Sequence, residues 1–199
     1  DVAVTGVQTC ALPIFAMQAG ERIAVIGPIG SGKSTLLKLL AGLYRPNPGR
    51  VYLDNVDMAH LDPAYLRRHI HYLPQDARLF NGTLRENLIM GLADPGDEAI
   101  LTAARATGLD RAIANHPRGL NLYLSEGGLG LSGGQRQLVT LTRLLMSTRG
   151  VLLLDEPTSS IDGPAEEQAT QALMGQLADD HLLVMVTHKN ILLRHATRI

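Results

Sequence analysis

Short apolar runs alternate along the chain with longer stretches of helical period. Runs rich in β-branched residues or leucine cover 21–26, 151–155 and 182–187. Uninterrupted runs of this length are typical of strands buried on both faces of a parallel sheet. Helical leucine spacing over 34–43 and a helical pattern over 165–177 lie between the runs. The pattern therefore predicts an α/β fold with a mostly parallel sheet.

The remaining segments are more polar and more often interrupted by glycine and proline. The alternating stretch 50–53 predicts an edge strand, and 61–69 predicts a short helix with Pro63 in its first turn, followed by a strand over 70–73. Residues 83–148 are mainly helical in period. We predict a core over 15–82 and 149–199, with a helical subdomain inserted at about 83–148.

Charge and composition narrow the classes of function. Lys and Arg number 18 against 19 Asp and Glu, and no basic run interleaves with aromatic residues, so we expect no nucleic-acid partner. The apolar runs fall far short of the roughly 20 residues that a membrane-spanning helix requires. The one cysteine, Cys10, has no partner for a disulfide.

The first chemical motif is GPIGSGKS, which lies between a predicted strand and a predicted helix. It fits the phosphate-loop pattern G-x-x-x-x-G-K-[ST] in the context that this loop requires. Glycines allow successive backbone N–H groups to face phosphate oxygens, and the helix start adds positive potential. Lys33 is then the candidate for the β and γ phosphates, and Ser34 for Mg²⁺. The alternative is a glycine-rich turn with an incidental lysine.

The second motif is VLLLDE, a buried strand that ends in two acids. Ligands bind at the carboxyl ends of strands in open α/β sheets. Asp155 is the candidate for holding Mg²⁺ through its water shell, and Glu156 for orienting or deprotonating an attacking water. The alternative is that the two acids only cap the next turn.

The third motif is LSGGQ, in which Ser132 and Gln135 have the spacing of a capping box. Gly133 and Gly134 are poor helix formers, which suggests close backbone approach by an anion rather than a cap alone. Phosphate loop, LSGGQ and VLLLDE in this order resemble the ATP-binding cassette (ABC) ATPases. The resemblance implies the P-loop NTPase core with its inserted helical subdomain.

The resemblance also implies functions for individual residues. Gln75 matches the glutamine that touches Mg²⁺ and the attacking water, and His188 matches the histidine that bonds the γ-phosphate. Asp162, in SSID, matches the loop that crosses the dimer interface; the alternative is that it only caps the next helix. The expected nucleotide-binding residues are Gly27, Pro28, Ile29, Gly30, Ser31, Gly32, Lys33, Ser34, Thr35, Ser132, Gly133, Gly134, Gln135 and Asp162. The expected catalytic residues are Glu156, His188 and Gln75, and the expected metal-binding residues are Ser34, Gln75 and Asp155.

In this family LSGGQ faces ATP held by the opposite subunit, so the implied active unit is a head-to-tail dimer. The sequences of 61–88 and of SEGGLGLSGGQ resemble those of exporters, most of all bacterial type I secretion ATPases. That resemblance implies an attached transmembrane domain, a periplasmic adaptor and an outer-membrane channel, with the cassette at the cytoplasmic face of the inner membrane. The alternatives are a lipid, peptide or drug exporter.

The opening, DVAVTGVQTCALPI, does not match what the family places before the phosphate loop. An amphipathic strand is expected to end near 15–18, with an adenine-stacking aromatic upstream of it, and Phe15 is too close to Gly27 to serve. The stretch resembles a translated library-adapter sequence, so we expect residues 1–14 to be non-native or unstructured and the cassette to be truncated at both ends. The alternative is a divergent native strand.

Two further functions compete with the exporter hypothesis. A soluble cassette of DNA repair or translation predicts a long coiled-coil insertion or a second cassette, and the sequence contains neither. An incomplete module that binds nucleotide without turnover is the other alternative, because the adenine-stacking residue lies outside this chain.

Overall fold

The computed structural model describes residues 2–5, 15–76 and 78–199, which form two units. The core unit holds the described residues of 1–73 together with 149–155 and 178–199. The helical unit holds the described residues of 74–148 together with 156–177. Cys10 and the rest of the expected non-native stretch over 6–14 lie outside the described residues, so their origin stays a prediction.

The core unit contains eight strands and three α-helices among its described residues. Its strands are β1 (Val2–Thr5), β2 (Phe15–Met17), β3 (Arg22–Val25), β4 (Arg50–Leu53), β5 (Val56–Asp57), β6 (Ile70–Leu73), β9 (Val151–Asp155) and β10 (Leu182–Val186). Its α-helices are α1 (Lys33–Leu40), α2 (Pro63–His69) and α8 (Asn190–Leu193).

The parallel sheet has the strand order β3-β10-β9-β6. In its register Val186 lies opposite both Val25 and Asp155, so β3, β10 and β9 end at one common edge. All five residues of β10 are buried, as expected for a strand covered on both faces. The predicted parallel sheet is confirmed, with strand bounds within a residue of those expected.

A second sheet of antiparallel strands has the order β2-β1-β4-β5. The prediction that β4 is an edge strand is wrong, because β1 pairs along one side of it and β5 along the other. The chain returns from β4 to β5 through Asp54 and Asn55, whose φ angles of 49° and 64° suit a two-residue hairpin turn. Residues 2–5, within the stretch expected to be non-native, thus occupy the position between β2 and β4.

One apolar core joins both sheets to α1. Leu37 and Leu40 of α1 pack in a cluster with Leu153 and Val184 of the parallel sheet and Val51 of the antiparallel sheet. The leucines recur three residues apart, which places them on one face of the helix. This packing fixes the start of α1 at the edge where the parallel strands end.

The helical unit is built around α6, which packs against α3, α4 and α7. Its elements are β7 (Gly82–Thr83), α3 (Leu84–Ile89), α4 (Asp97–Thr107), α5 (Asp110–Ala114), β8 (Tyr123–Leu124), α6 (Gly133–Leu145) and α7 (Gly163–Gln176). The strands β7 and β8 form a two-stranded antiparallel ribbon. No helix within the described ranges is long and apolar enough to cross a membrane.

Candidate functional site

The phosphate loop connects β3 to α1 and lies on the surface of the core unit. Residues 27–32 are all exposed, so the loop is open to a ligand. Gly32 caps α1 at φ 90° and Gly30 has φ 81°, in the left-handed region that favours glycine. A Cβ at either glycine would meet no atom of the described residues within 4 Å. Backbone conformation, and not crowding, is therefore what requires glycine here.

Lys33 is the first residue of α1 and its side chain folds back over the loop. Its Nζ donates to the carbonyl oxygens of Gly27 and Pro28, both at 2.8 Å, and to Ser31 Oγ at 3.4 Å. These bonds hold the ammonium group beside the exposed loop. A fixed cation at a helix N-terminus favours the binding of phosphate oxygens.

Asp155 is the last residue of β9 and is only 2% exposed. Its Oδ1 has no hydrogen-bond partner among the residues that the structure describes. A buried carboxylate oxygen without a partner is costly, and coordination to a cation or to its water shell would satisfy it. Asp155, with the half-buried Ser34, therefore suits Mg²⁺, which takes few protein ligands and keeps phosphate and water oxygens.

The described residues contain no group of three or more His, Cys, Asp or Glu side chains that could hold a metal ion. A site made only of protein ligands is thus not part of the described structure. His188 is exposed and follows β10, whose last residue pairs with Asp155. The parallel register therefore places the phosphate loop, Asp155 and His188 at one edge of the sheet.

Tyr72 of β6 is a further polar residue near this edge. Its hydroxyl is buried and has no hydrogen-bond partner in the described part of the chain. Burial raises the pKa of Tyr72, and the negative charge of Asp155 and then Tyr44 raise it further, to about 12. Tyr72 was not among the functional residues predicted from the sequence, because a tyrosine within a short buried strand is typical of a hydrophobic core.

Glu156 follows Asp155 directly and belongs to the helical unit. Its φ of 49° is unusual for a residue with a side chain, and such outliers concentrate at functional sites. Gln137 of α6 holds this segment: its Nε2 donates to the Glu156 carbonyl oxygen at 2.9 Å and to Ser159 Oγ at 3.1 Å. Its Oε1 accepts from the Ser160 backbone N–H at 2.8 Å.

The sequence analysis missed Gln137, which is 1% exposed. It stands one turn before Leu141 on the buried face of α6. A glutamine at an apolar position of a helix is the signal that could have revealed it, because buried amides need partners.

The LSGGQ segment starts α6 as predicted. Ser132 Oγ accepts from the Gln135 backbone N–H at 3.1 Å, and Gln135 Oε1 accepts from the Ser132 N–H at 2.9 Å, which confirms the capping box. Gly134 has a structural reason as well, because a Cβ there would lie 2.8 Å from the Ser160 carbonyl oxygen. Gly133 has ordinary clearance, 3.5 Å from the Ser160 Cβ.

Gln75 and Gly133 line one cavity of the helical unit, of about 330 Å³. Arg78 and Arg136 also line it, together with one acid, Asp76. Asp162 stands at the N-cap position of α7 and is exposed, but within the described chain its side chain makes no capping hydrogen bond. Capping alone therefore does not account for Asp162.

Comparison with known proteins gives a consistent result. A family model described as ABC transporter matches residues 14–159. The mycobactin import ATP-binding/permease protein IrtB of Mycolicibacterium thermoresistibile is 38% identical over 185 residues, 93% of this chain and 32% of that protein. ATP-binding cassette sub-family B member 6 of Homo sapiens is 37% identical over 175 residues, 88% of this chain and 21% of that protein.

Among solved structures, a bacterial Atm1-family ABC exporter with ATP bound is similar to this chain with a TM-score of 0.83 and 33% identity. The match covers 89% of this chain and 31% of that one. The chain thus spans no more than about a third of the length of these relatives. The chain belongs to the ABC transporter ATPases, a family with the P-loop NTPase fold that couples ATP hydrolysis to transport.

Proposed function

We propose that this chain is the nucleotide-binding domain of an ABC exporter and that it binds and hydrolyses ATP. One observation carries the proposal: the exposed phosphate loop, Lys33 and the buried Asp155 carboxylate all lie at the same edge of the parallel sheet. The loop and the α1 start supply donors and positive potential for a triphosphate. Lys33 neutralises the charge on its terminal phosphates.

Ser34, Asp155 and Gln75 are the residues proposed to hold Mg²⁺. The ion would neutralise charge on the phosphate oxygens when bound. Glu156 is proposed to orient the attacking water in line with the bond that breaks, and His188 to stabilise the γ-phosphate. The hydrogen bond from Gln137 to the Glu156 carbonyl oxygen holds the backbone of Glu156 in place. This restricts the movement of the Glu156 carboxylate relative to the attacking water.

We propose that two copies act together, head to tail. The phosphate loop of each copy, 27–35, would bind ATP against Ser132, Gly133, Gly134 and Gln135 of the other. Gly133 supports this assignment, because no close packing against the described residues requires glycine there. Asp162 is exposed and is proposed to contribute at the same interface. Closure over two ATP molecules would drive an attached transmembrane domain, and each nucleotide must favour the closed state.

We propose that the transported substrate is a protein and that the transport is type I secretion. The cassette would act at the cytoplasmic face of a bacterial inner membrane, with a periplasmic adaptor and an outer-membrane channel as partners. The support is that the sequences of 61–88 and of the segment before LSGGQ resemble those of type I secretion ATPases. The similar proteins include transporters of other kinds, a mycobactin importer and an Atm1-family exporter among them. Adaptor and channel genes beside the source gene are the expected finding, and a solute-binding protein gene in their place would contradict it.

The ATPase proposal is tested with the purified chain. We expect Glu156→Gln to bind ATP like the unsubstituted chain but to hydrolyse it at least about 100-fold more slowly, because a positioned general base supplies about 10²–10⁴ in rate. Glu167→Gln, on α7, is the matched control and should leave the rate unchanged. Equal measurable rates for the unsubstituted chain and Glu156→Gln would contradict the role of Glu156. ATP binding with no measurable hydrolysis in either protein would favour the binding-only alternative.

A further inference from the structure

Two buried polar atoms of the core unit lack a hydrogen-bond partner among the described residues: Oδ1 of Asp155 and the hydroxyl oxygen of Tyr72. Folded proteins rarely leave such atoms unsatisfied, because the bonds they make to water in the unfolded chain are then lost. Asp155 already has a proposed role. Tyr72 has none, although a phenylalanine would fill the same space without an unsatisfied hydroxyl.

The register of the parallel sheet places the two side chains on one face. Tyr72 of β6 lies opposite Leu153 of β9, and residues in register in a parallel sheet point to the same side. Asp155 is two residues beyond Leu153, so strand alternation returns it to that side. This face is the one that α1 covers, since Tyr72 and Leu153 pack in the cluster that contains Leu37.

The chemistry of the pair is complementary. A carboxylate accepts hydrogen bonds and cannot donate, whereas a phenol has one hydrogen to donate. A phenol keeps its hydrogen at neutral pH, so the Tyr72 hydroxyl is available as a donor. Tyr72 is therefore a donor held beside an acceptor that needs one.

We propose that Tyr72 is a positioning residue for Asp155: its hydroxyl donates a hydrogen bond to the Asp155 carboxylate in the state that holds Mg²⁺ and ATP. This inference rests on the proposed ATPase function. A donor behind a metal-binding carboxylate fixes the orientation of its oxygens toward the ion. Tyr72 itself contacts neither the nucleotide nor the metal.

The test measures ATP binding to the purified chain at a series of Mg²⁺ concentrations and, separately, in excess EDTA. We expect Tyr72→Phe to raise the Mg²⁺ concentration for half-saturation about tenfold, the scale on which such supporting bonds act. ATP binding in EDTA should stay unchanged, because the metal takes no part in it. Tyr123→Phe, the same change at an exposed tyrosine of the helical unit, should shift neither value.

A double-mutant comparison separates positioning from a merely structural role. In the Asp155→Ala background, which lacks the acceptor, Tyr72→Phe should have little further effect on the Mg²⁺ requirement, since the two residues act through one bond. An unchanged Mg²⁺ requirement in Tyr72→Phe, or an equal shift in both backgrounds, would overturn the inference alone. If the unsubstituted chain bound no ATP, the proposed function would fail and the inference with it.

Discussion

The phosphate loop and the LSGGQ segment both use glycine at the start of a helix, but for different physical reasons. Gly32, before α1, has a left-handed backbone with open space around it. Gly134, in the first turn of α6, lies against the Ser160 carbonyl oxygen, where a Cβ would come within 2.8 Å. One glycine serves the shape of a ligand loop, and the other serves packing. Similar sequence patterns thus place different demands on the chain.

The largest stability effect is expected for Gly134→Ala. The added Cβ would meet a backbone oxygen that no side-chain rotation can move, so we expect the free energy of unfolding to fall by about 2 kcal/mol. Urea denaturation measures this change. Gly175→Ala is the control, because Gly175 lies in α7 with nothing within 4 Å, and alanine there should stabilise the helix slightly.

If Gly134→Ala were as stable as the unsubstituted chain, the packing explanation would be lost. The glycine would then have to be explained by its ligand, as the sequence analysis first supposed. Binding of ATP by the variant separates the two explanations, since packing predicts a loss of stability before any loss of affinity.

A smaller effect is expected for Gly32→Ala, and it should fall on ligand binding as well. A left-handed conformation costs a residue with a Cβ about 1–2 kcal/mol, which the loop can relieve by changing shape. We therefore expect a modest loss of unfolding free energy together with weaker ATP binding, measured by denaturation and by titration. Gly150→Ala is the control, because that glycine has open space and no positive φ; a similar result for both variants would contradict the account.

The accuracy of the predictions made from the sequence depends on whether a feature is local or joins distant segments. The strand β9 was predicted with its observed bounds because its apolar run is short and is bounded by polar residues, and this length favours a buried strand over a helix. The capping box was predicted because its spacing of three residues is local. Local patterns and short-range hydrogen bonds could thus be predicted from the sequence.

The contacts between distant segments could not be predicted from the sequence. Nothing in the sequence places Ser160 against Gly134, or Gln137 against the Glu156 carbonyl, because these pairs form only when α6 packs beside the segment after β9. The pairing of β1 with β4 was missed for the same reason, and β4 was wrongly expected at an edge.

The smallest effect is expected for Ser132→Ala, which removes one side of the capping box. Loss of an N-cap costs about 1 kcal/mol, so the free energy of unfolding should fall by that amount. Ser125→Ala is the control, since Ser125 precedes a short 3₁₀ helix without a side-chain cap among the described residues. Denaturation curves measure both; an equal response would show that the Ser132 bond adds nothing.

The central claim is that the phosphate loop of one copy works with LSGGQ of another, and a mixing experiment tests it directly. Lys33→Ala should inactivate the loop, and Gly133→Asp should repel the triphosphate while an acid at a helix start leaves α6 stable. Each variant alone should hydrolyse no ATP. About half of the randomly formed dimers contain one copy of each variant, and each of these has one intact site of two. The mixture should therefore recover about a quarter of the unsubstituted activity. A mixture as inactive as either variant, beside an active unsubstituted chain, would contradict the claim.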